Sequence, residues 1–121
     1  MSRQLMIPAA DTRLYAVDAP GGTPALLFLS GGFGTVQNWS RVIRSLDGEY
    51  RTVRFDARAR GKSGTSADYS VRAAVDDIGR VIDATGIERP ILVGWSHGAT
   101  VAVRYAAQHP GRVGGLVLID G

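Results

Sequence analysis

At 121 residues the chain is long enough to bury a core, and its 45% apolar and 21% charged content is ordinary for a globular domain. The net charge of +3 comes from scattered arginines with no basic run, which argues against nucleic-acid binding. The absence of cysteine excludes disulfides, thiolate metal sites and a thiol nucleophile. The first residues are too short and interrupted for a signal peptide, and no apolar run approaches the roughly 20 residues of a membrane span. A cytoplasmic location with no membrane partner is therefore expected.

In chain order, Gln4–Ile7 and Arg13–Val17 are short apolar-rich runs separated by Ala9–Thr12, the pattern of an opening antiparallel β-hairpin. Pro20-Gly21-Gly22 reads as a loop. Ala25–Leu29 is a continuous apolar run, as expected of a strand buried on both faces of a parallel sheet. It closes on the glycine-rich turn Ser30-Gly31-Gly32-Phe33-Gly34. Trp39, Val42, Ile43 and Leu46 follow at helical spacing, with Asn38 as the expected N-cap. Arg51–Phe55 is the next strand. Val71, Ala74, Val75, Ile78, Val81 and Ile82 then mark one helix face, with Ser70 at the cap and Gly86 just past the end. Pro90–Val93 is a second buried strand, followed by a turn at Ser96 and a helix to about Gln108 that Pro110 stops. Gly115–Ile119 is the last strand. The alternation predicts an α/β fold in one domain over residues 1–121: a mostly parallel sheet with right-handed crossovers and flanking helices, opening with the hairpin.

Gly94-Trp95-Ser96-His97-Gly98 carries the strongest chemical signal. A serine hydroxyl attacks a carbonyl only if it projects into the cleft at the carboxyl edge of the sheet, and a sharp strand-to-helix turn does this. Strand and helix pass close together there, so the residues two before and two after the serine must be small. Gly-Ser-Gly turns are common in themselves. The buried strand before this one and the helix after it make Ser96 a specific nucleophile candidate. The oxyanion that forms needs two backbone donors: the His97 N–H would be one, and the Gly32 N–H (or that of Phe33) on the opposite loop the second.

Two competing motifs fail. Gly61-Lys62-Ser63 resembles the tail of a phosphate-binding loop, but Asp56 stands where the leading glycine belongs, and Gly64-Thr65-Ser66-Ala67 is a poor helix start. Gly31, Gly32 and Gly34 fail the dinucleotide fingerprint because Gln37 occupies the third glycine's place. No cofactor and no metal is expected.

Together these segments resemble the α/β-hydrolase superfamily, in the branch of small bacterial serine esterases, peptidases and haloperoxidase-like enzymes. Leu29-Ser30-Gly31-Gly32 stands where that family has His-Gly. Asp56-Ala57-Arg58-Ala59-Arg60-Gly61-Lys62-Ser63 is similar to its Asp-x-Arg-Gly-x-Gly-x-Ser loop. Gln108-His109-Pro110 and Leu116–Asp120 also match. Ser30 replaces the usual His and Ala59 the usual Gly. The resemblance implies that Asp56 and Arg58 hold the loop beneath the site, and the serine argues against members that use aspartate, such as haloalkane dehalogenases and epoxide hydrolases. It implies a serine hydrolase acting on a small-molecule ester or related acyl substrate through an acyl-enzyme.

A serine needs a base, and the base an orienting acid. His97 directly follows the nucleophile, and His109 lies thirteen residues along, roughly 20 Å away at helical rise. Neither is expected to be the base, and His109 is expected to interact with carbonyls at the helix end. Asp120, at the end of the last strand, is a candidate acid. The resemblance implies that the chain is the N-terminal part of the domain, with later strands, cap and catalytic His absent, so that it is inactive alone. An alternative is a non-catalytic hydrolase-like binding protein. The last strand, wholly apolar with an unpaired edge, is expected to promote self-association.

Overall fold

The computed structural model describes residues 2–31 and 34–120. The strands are β1 (Arg3–Ala9), β2 (Thr12–Ala19), β3 (Gly22–Leu29), β4 (Tyr50–Phe55), β5 (Ile91–Trp95) and β6 (Gly115–Ile119). The helices are α1 (Ser40–Ser45), α2 (Val71–Thr85) and α3 (His97–Gln108), and short 3₁₀ turns cover Val36–Trp39 and Pro110–Arg112. The expected α/β architecture is present, and no helix among the described residues is long and apolar enough to cross a membrane.

The six strands form one sheet in the order β1-β2-β4-β3-β5-β6. β1 and β2 make the opening hairpin, and β2 also runs antiparallel to β4, with Ala16 opposite Phe55. The rest of the sheet is parallel. The chain passes from β3 outward to β4, then returns to place β5 on the other side of β3. That reversal opens a crevice at the carboxyl ends of β3 and β5, the place where open α/β sheets bind ligands.

The central strands alternate between two apolar layers because successive side chains point to opposite faces. Leu27, Val53 and Leu92 face one way and pack with Val75, Ile78, Val81 and Ile82 of α2 and Val101, Ala102 and Tyr105 of α3, all buried. Phe28 and Val93 face the other way, against Trp39, whose ring centroid lies 4.9 Å from that of Phe28.

α2 has the expected ends. The Ser70 hydroxyl accepts the Ala73 N–H at 3.1 Å, and Gly86 leaves the helix at φ +72°. α1 differs from expectation. Val36–Trp39 form a 3₁₀ turn, and Asn38 sits inside it instead of capping α1. Its side-chain oxygen reaches back three residues to accept the Thr35 N–H at 2.6 Å. Thr35-x-x-Asn38 gives the amide a local partner, and this outcompetes the cap. Val42 remains 44% exposed, outside the apolar layer that Trp39 anchors. β3 also begins three residues earlier than its apolar run, at Gly22, with a register irregularity between Gly22 and Leu26.

β6 follows Gly115–Ile119 as expected and pairs with β5. Leu116, Val117, Leu118 and Ile119 are 40–47% exposed, so both faces of this strand are open and apolar.

Candidate active site

The site begins where β5 turns into α3. A Cβ on Gly94 would lie 2.7 Å from both the Ala99 Cα and the Gly98 carbonyl oxygen, and one on Gly98 would strike the Leu29 carbonyl. Strand, helix and the neighbouring strand end therefore approach closer than any side chain allows. Between the two glycines Ser96 adopts φ +57°, ψ −117°, and stands exposed at the N-cap of α3. Such backbone costs on the order of 1–3 kcal/mol and persists only where its surroundings fix it. Here they do: the Ser96 N–H donates to the Ile119 carbonyl at 2.8 Å, and the Ser96 carbonyl accepts the Ala99 N–H at 2.9 Å.

Across the crevice, the chain leaving β3 abuts this turn. A Cβ on Gly31 would touch the Ser96 Cβ at 3.4 Å and the Trp95 ring at the same distance. Gly32 and Phe33, the expected source of the second oxyanion donor, lie outside the described residues. Their flanks are closely tied. Gly34 N–H donates to the Gly31 carbonyl at 3.0 Å, and Val36 N–H donates to Asp56 Oδ1 at 2.7 Å.

His97 is the first residue of α3, so its backbone lies at the elbow. It helps to line a cavity of about 300 Å³ between the α2 and α3 N-termini, with Leu29, Ser30, Phe55, Arg60 and Tyr69. Ser96 does not line this cavity. His109 sits past the far end of α3, where its ring packs on Tyr105 with centroids 4.7 Å apart. The contact it makes with a terminal carbonyl is through its backbone N–H, to Tyr105 at 2.8 Å. Asp120 is brought level with the elbow, because the β5–β6 register pairs Trp95 with Ile119, one residue before each. It is exposed, with φ +48°.

The loop after β4 has the form its sequence suggests. Asp56, 1% exposed, accepts from Val36 N–H through one oxygen and from Lys62 N–H, at 2.9 Å, through the other. The Lys62 amide is thus spent on a carboxylate, and no helix starts there, which agrees with setting phosphate binding aside. Ala59 takes φ +61°, the left-handed conformation that the similar family pattern fills with glycine. Arg58 is buried and holds Asp77 of α2 with two hydrogen bonds, at 2.8 and 3.0 Å, and Ser66 and the Asp68 carbonyl with its remaining nitrogen. Hydrogen bonding to Asp77 raises the guanidinium pKa above its already high ordinary value. The Asp11 carboxyl is held below the usual carboxylate range, chiefly by the Ala67 N–H and then by the Ser66 hydroxyl.

Asp77 is the residue that the sequence reading missed. It lies between Ala74 and Ile78 on the apolar face of α2, and a carboxylate inside such a stripe signals a buried cationic partner.

A family model described as alpha/beta hydrolase fold matches residues 24–121, and the chain belongs to that family. It is similar to a candidate carbamate hydrolase, RutD, of Variovorax paradoxus, 31% identical over 88% of this chain and 41% of that protein. It is also similar to the 2-hydroxy-6-oxononadienedioate/2-hydroxy-6-oxononatrienedioate hydrolase of Paraburkholderia phymatum, 33% identical over 92% of this chain and 41% of that protein. Among solved structures, wild-type Cfl2 of Burkholderia cenocepacia matches with a TM-score of 0.90 and 26% identity, over 98% of this chain and 41% of its own. The chain thus spans about 41% of the length of these two relatives.

Proposed function

We propose that the chain belongs to a serine hydrolase that cleaves an ester or related acyl substrate, with Ser96 as nucleophile. The observation that carries the reading is the position of Ser96: exposed, at positive φ, at the start of a twelve-residue helix, on the crevice where the strand order reverses. In this reading Ser96 Oγ attacks the acyl carbonyl carbon and a base accepts its proton. The oxyanion receives hydrogen bonds from the His97 N–H and the Gly32 N–H, with the N-terminal dipole of α3 adding positive potential. Collapse expels the leaving alkoxide, which the base protonates, and water then releases the acyl group by the reverse sequence. Asp120 is the candidate acid. In this reading the base comes from residues beyond those described: His109 lies past the far end of α3 with its ring on Tyr105, and His97 directly follows the nucleophile and lines a cavity that Ser96 does not. Relatives named as hydrolases support hydrolysis of a small molecule.

The test is turnover of short-chain acyl esters by the full-length gene product, with Ser96→Ala as comparison. Loss of on the order of 10³-fold or more is expected for Ser96→Ala, and equal rates would overturn the reading. The placement of both histidines favours a second reading, a hydrolase-like binding protein without chemistry. Binding of such esters without any Ser96-dependent turnover would select it.

A further inference from the structure

We propose that the cavity between the N-termini of α2 and α3 is a chamber for the acyl part of the substrate, and that it takes a neutral apolar chain of medium length, such as hexanoyl. This rests on the serine-hydrolase reading above and deepens it by naming the substrate class.

The cavity begins one residue from the nucleophile. His97 and Gly98, directly after Ser96, help to line it. Consecutive Cα atoms are about 3.8 Å apart, so a chain bonded to Ser96 Oγ has a single residue to pass before it enters. Leu29 and Phe55, at the ends of β3 and β4, and Val101 of α3 also line the cavity, and all three are buried. At about 300 Å³ it lies at the small end of ligand-sized pockets. That is room for about ten water-sized groups at roughly 30 Å³ each, which suits an acyl chain of about six to eight carbons and excludes a long fatty chain.

The polar groups of the lining are largely engaged with the protein itself. The Ser30 hydroxyl accepts the Trp39 indole N–H at 2.8 Å and donates to the Thr35 carbonyl at 3.3 Å. The Ser70 hydroxyl accepts the Ala73 N–H, and the Tyr69 hydroxyl accepts the Ser66 N–H at 2.9 Å. Arg58 and Asp77 neutralise each other, and Asp77 also holds Arg80 at 2.8 Å. Arg60 donates to the Ala59 carbonyl at 3.4 Å. His97 is exposed beside Ser96 and can stay in water. A charged group entering here would compete with bonds already made, whereas an alkyl chain breaks none and gains by leaving water. The acyl part is the occupant because it stays bonded to Ser96 through the acyl-enzyme while the alcohol departs. A chamber backed by buried residues suits the group that stays.

The experiment uses the full-length gene product and neutral nitrophenyl esters. From acetate to hexanoate kcat/KM should rise about tenfold or more, since each methylene taken from water is worth up to about fourfold, and it should fall again at dodecanoate. Ala74→Leu adds side chain to the lining from α2, in a residue type that suits a helix, and should lower the hexanoate-to-acetate ratio about tenfold. Val101→Ala enlarges the cavity and should move the optimum to a longer chain. A ratio that Ala74→Leu leaves unmoved, hexyl acetate turned over faster than ethyl hexanoate, or a nitrophenyl hemiester of succinic acid preferred over the hexanoate would each overturn the proposal. In Ser96→Ala, methyl hexanoate should shift the NMR methyl signals of Ala74 and Val101, and methyl acetate should not. Unshifted signals would overturn the chamber whether or not the wild type turns esters over. Shifted signals without Ser96-dependent turnover would instead sink the hydrolase reading, and the acyl assignment with it.

Discussion

Replacing Asp77 by alanine should cost far more stability than any exposed carboxylate on the same helix. The Asp77 and Arg58 side chains are 3% and 6% exposed, and the two bonds between them use Nε and Nη2 of the guanidinium. Without the carboxylate, those donors remain charged in the interior with nothing to accept them, whereas Nη1 keeps Ser66 and the Asp68 carbonyl. Breaking a buried pair from one side costs about 3–5 kcal/mol, and the retained Nη1 bonds put this case near the lower end, about 3 kcal/mol. Asp83→Ala is the internal comparison: its partner Arg112 is 43% exposed and Asp83 itself 69%, so the loss should stay below about 1 kcal/mol. Replacing both buried partners together, as Arg58→Met with Asp77→Leu, should recover much of the loss, because the one charge left without its carboxylate is then that of Arg80, which is 34% exposed and reaches water. Urea titration with thermal melting reads all four proteins. An Asp77→Ala loss no larger than that of Asp83→Ala would refute the argument.

Three further outcomes follow from other parts of the molecule. Ala59→Gly should raise stability by about 1 kcal/mol in urea titration, since Ala59 is held at φ +61° where glycine carries no Cβ penalty; a loss would contradict this. Asp18 has its carboxyl held below the usual range, first by the Arg51 hydrogen bonds and then, against the burial, by charge attraction to Arg51 and by Arg3. Its folded pKa being the lower, the stabilisation is complete above the ordinary value near 3.8 and drains away as pH falls below it. Asp18→Asn should therefore be less stable than wild type at pH 6 and converge toward it as pH falls progressively below 3.8 in urea midpoints. The open, apolar strand β6 should make the 121-residue chain dimerise or precipitate, and a monomer with a cooperative melt on size exclusion and heating would remove that expectation.

The backbone geometry of the turn at Ser96 was readable from residue order alone because its constraints are local. Gly94 and Gly98 flank a serine between an apolar run and a helical stripe, and close backbone packing admits little else there. Ser70 and Gly86 likewise mark the ends of α2 by capping chemistry that needs no tertiary partner. Long-range pairing is harder to read. Nothing in Thr12–Ala19 says that β2 lies beside β4, or that β3 slots between β4 and β5 to open the crevice. Asn38 shows the limit at short range: its residue type suits a helix cap, yet a backbone N–H three residues earlier was the better partner. Ser30 shows the same limit, since its hydroxyl pairs with an indole nine residues away and with the carbonyl of Thr35.

The central claim is that Ser96 is a nucleophile. The most direct measurement is intact-mass and peptide mass spectrometry of the full-length gene product after exposure to a fluorophosphonate. The account predicts one phosphonyl adduct per chain, carried by the peptide that contains Ser96 and absent from Ser96→Ala. An unmodified protein, or an adduct that persists in Ser96→Ala, would contradict it.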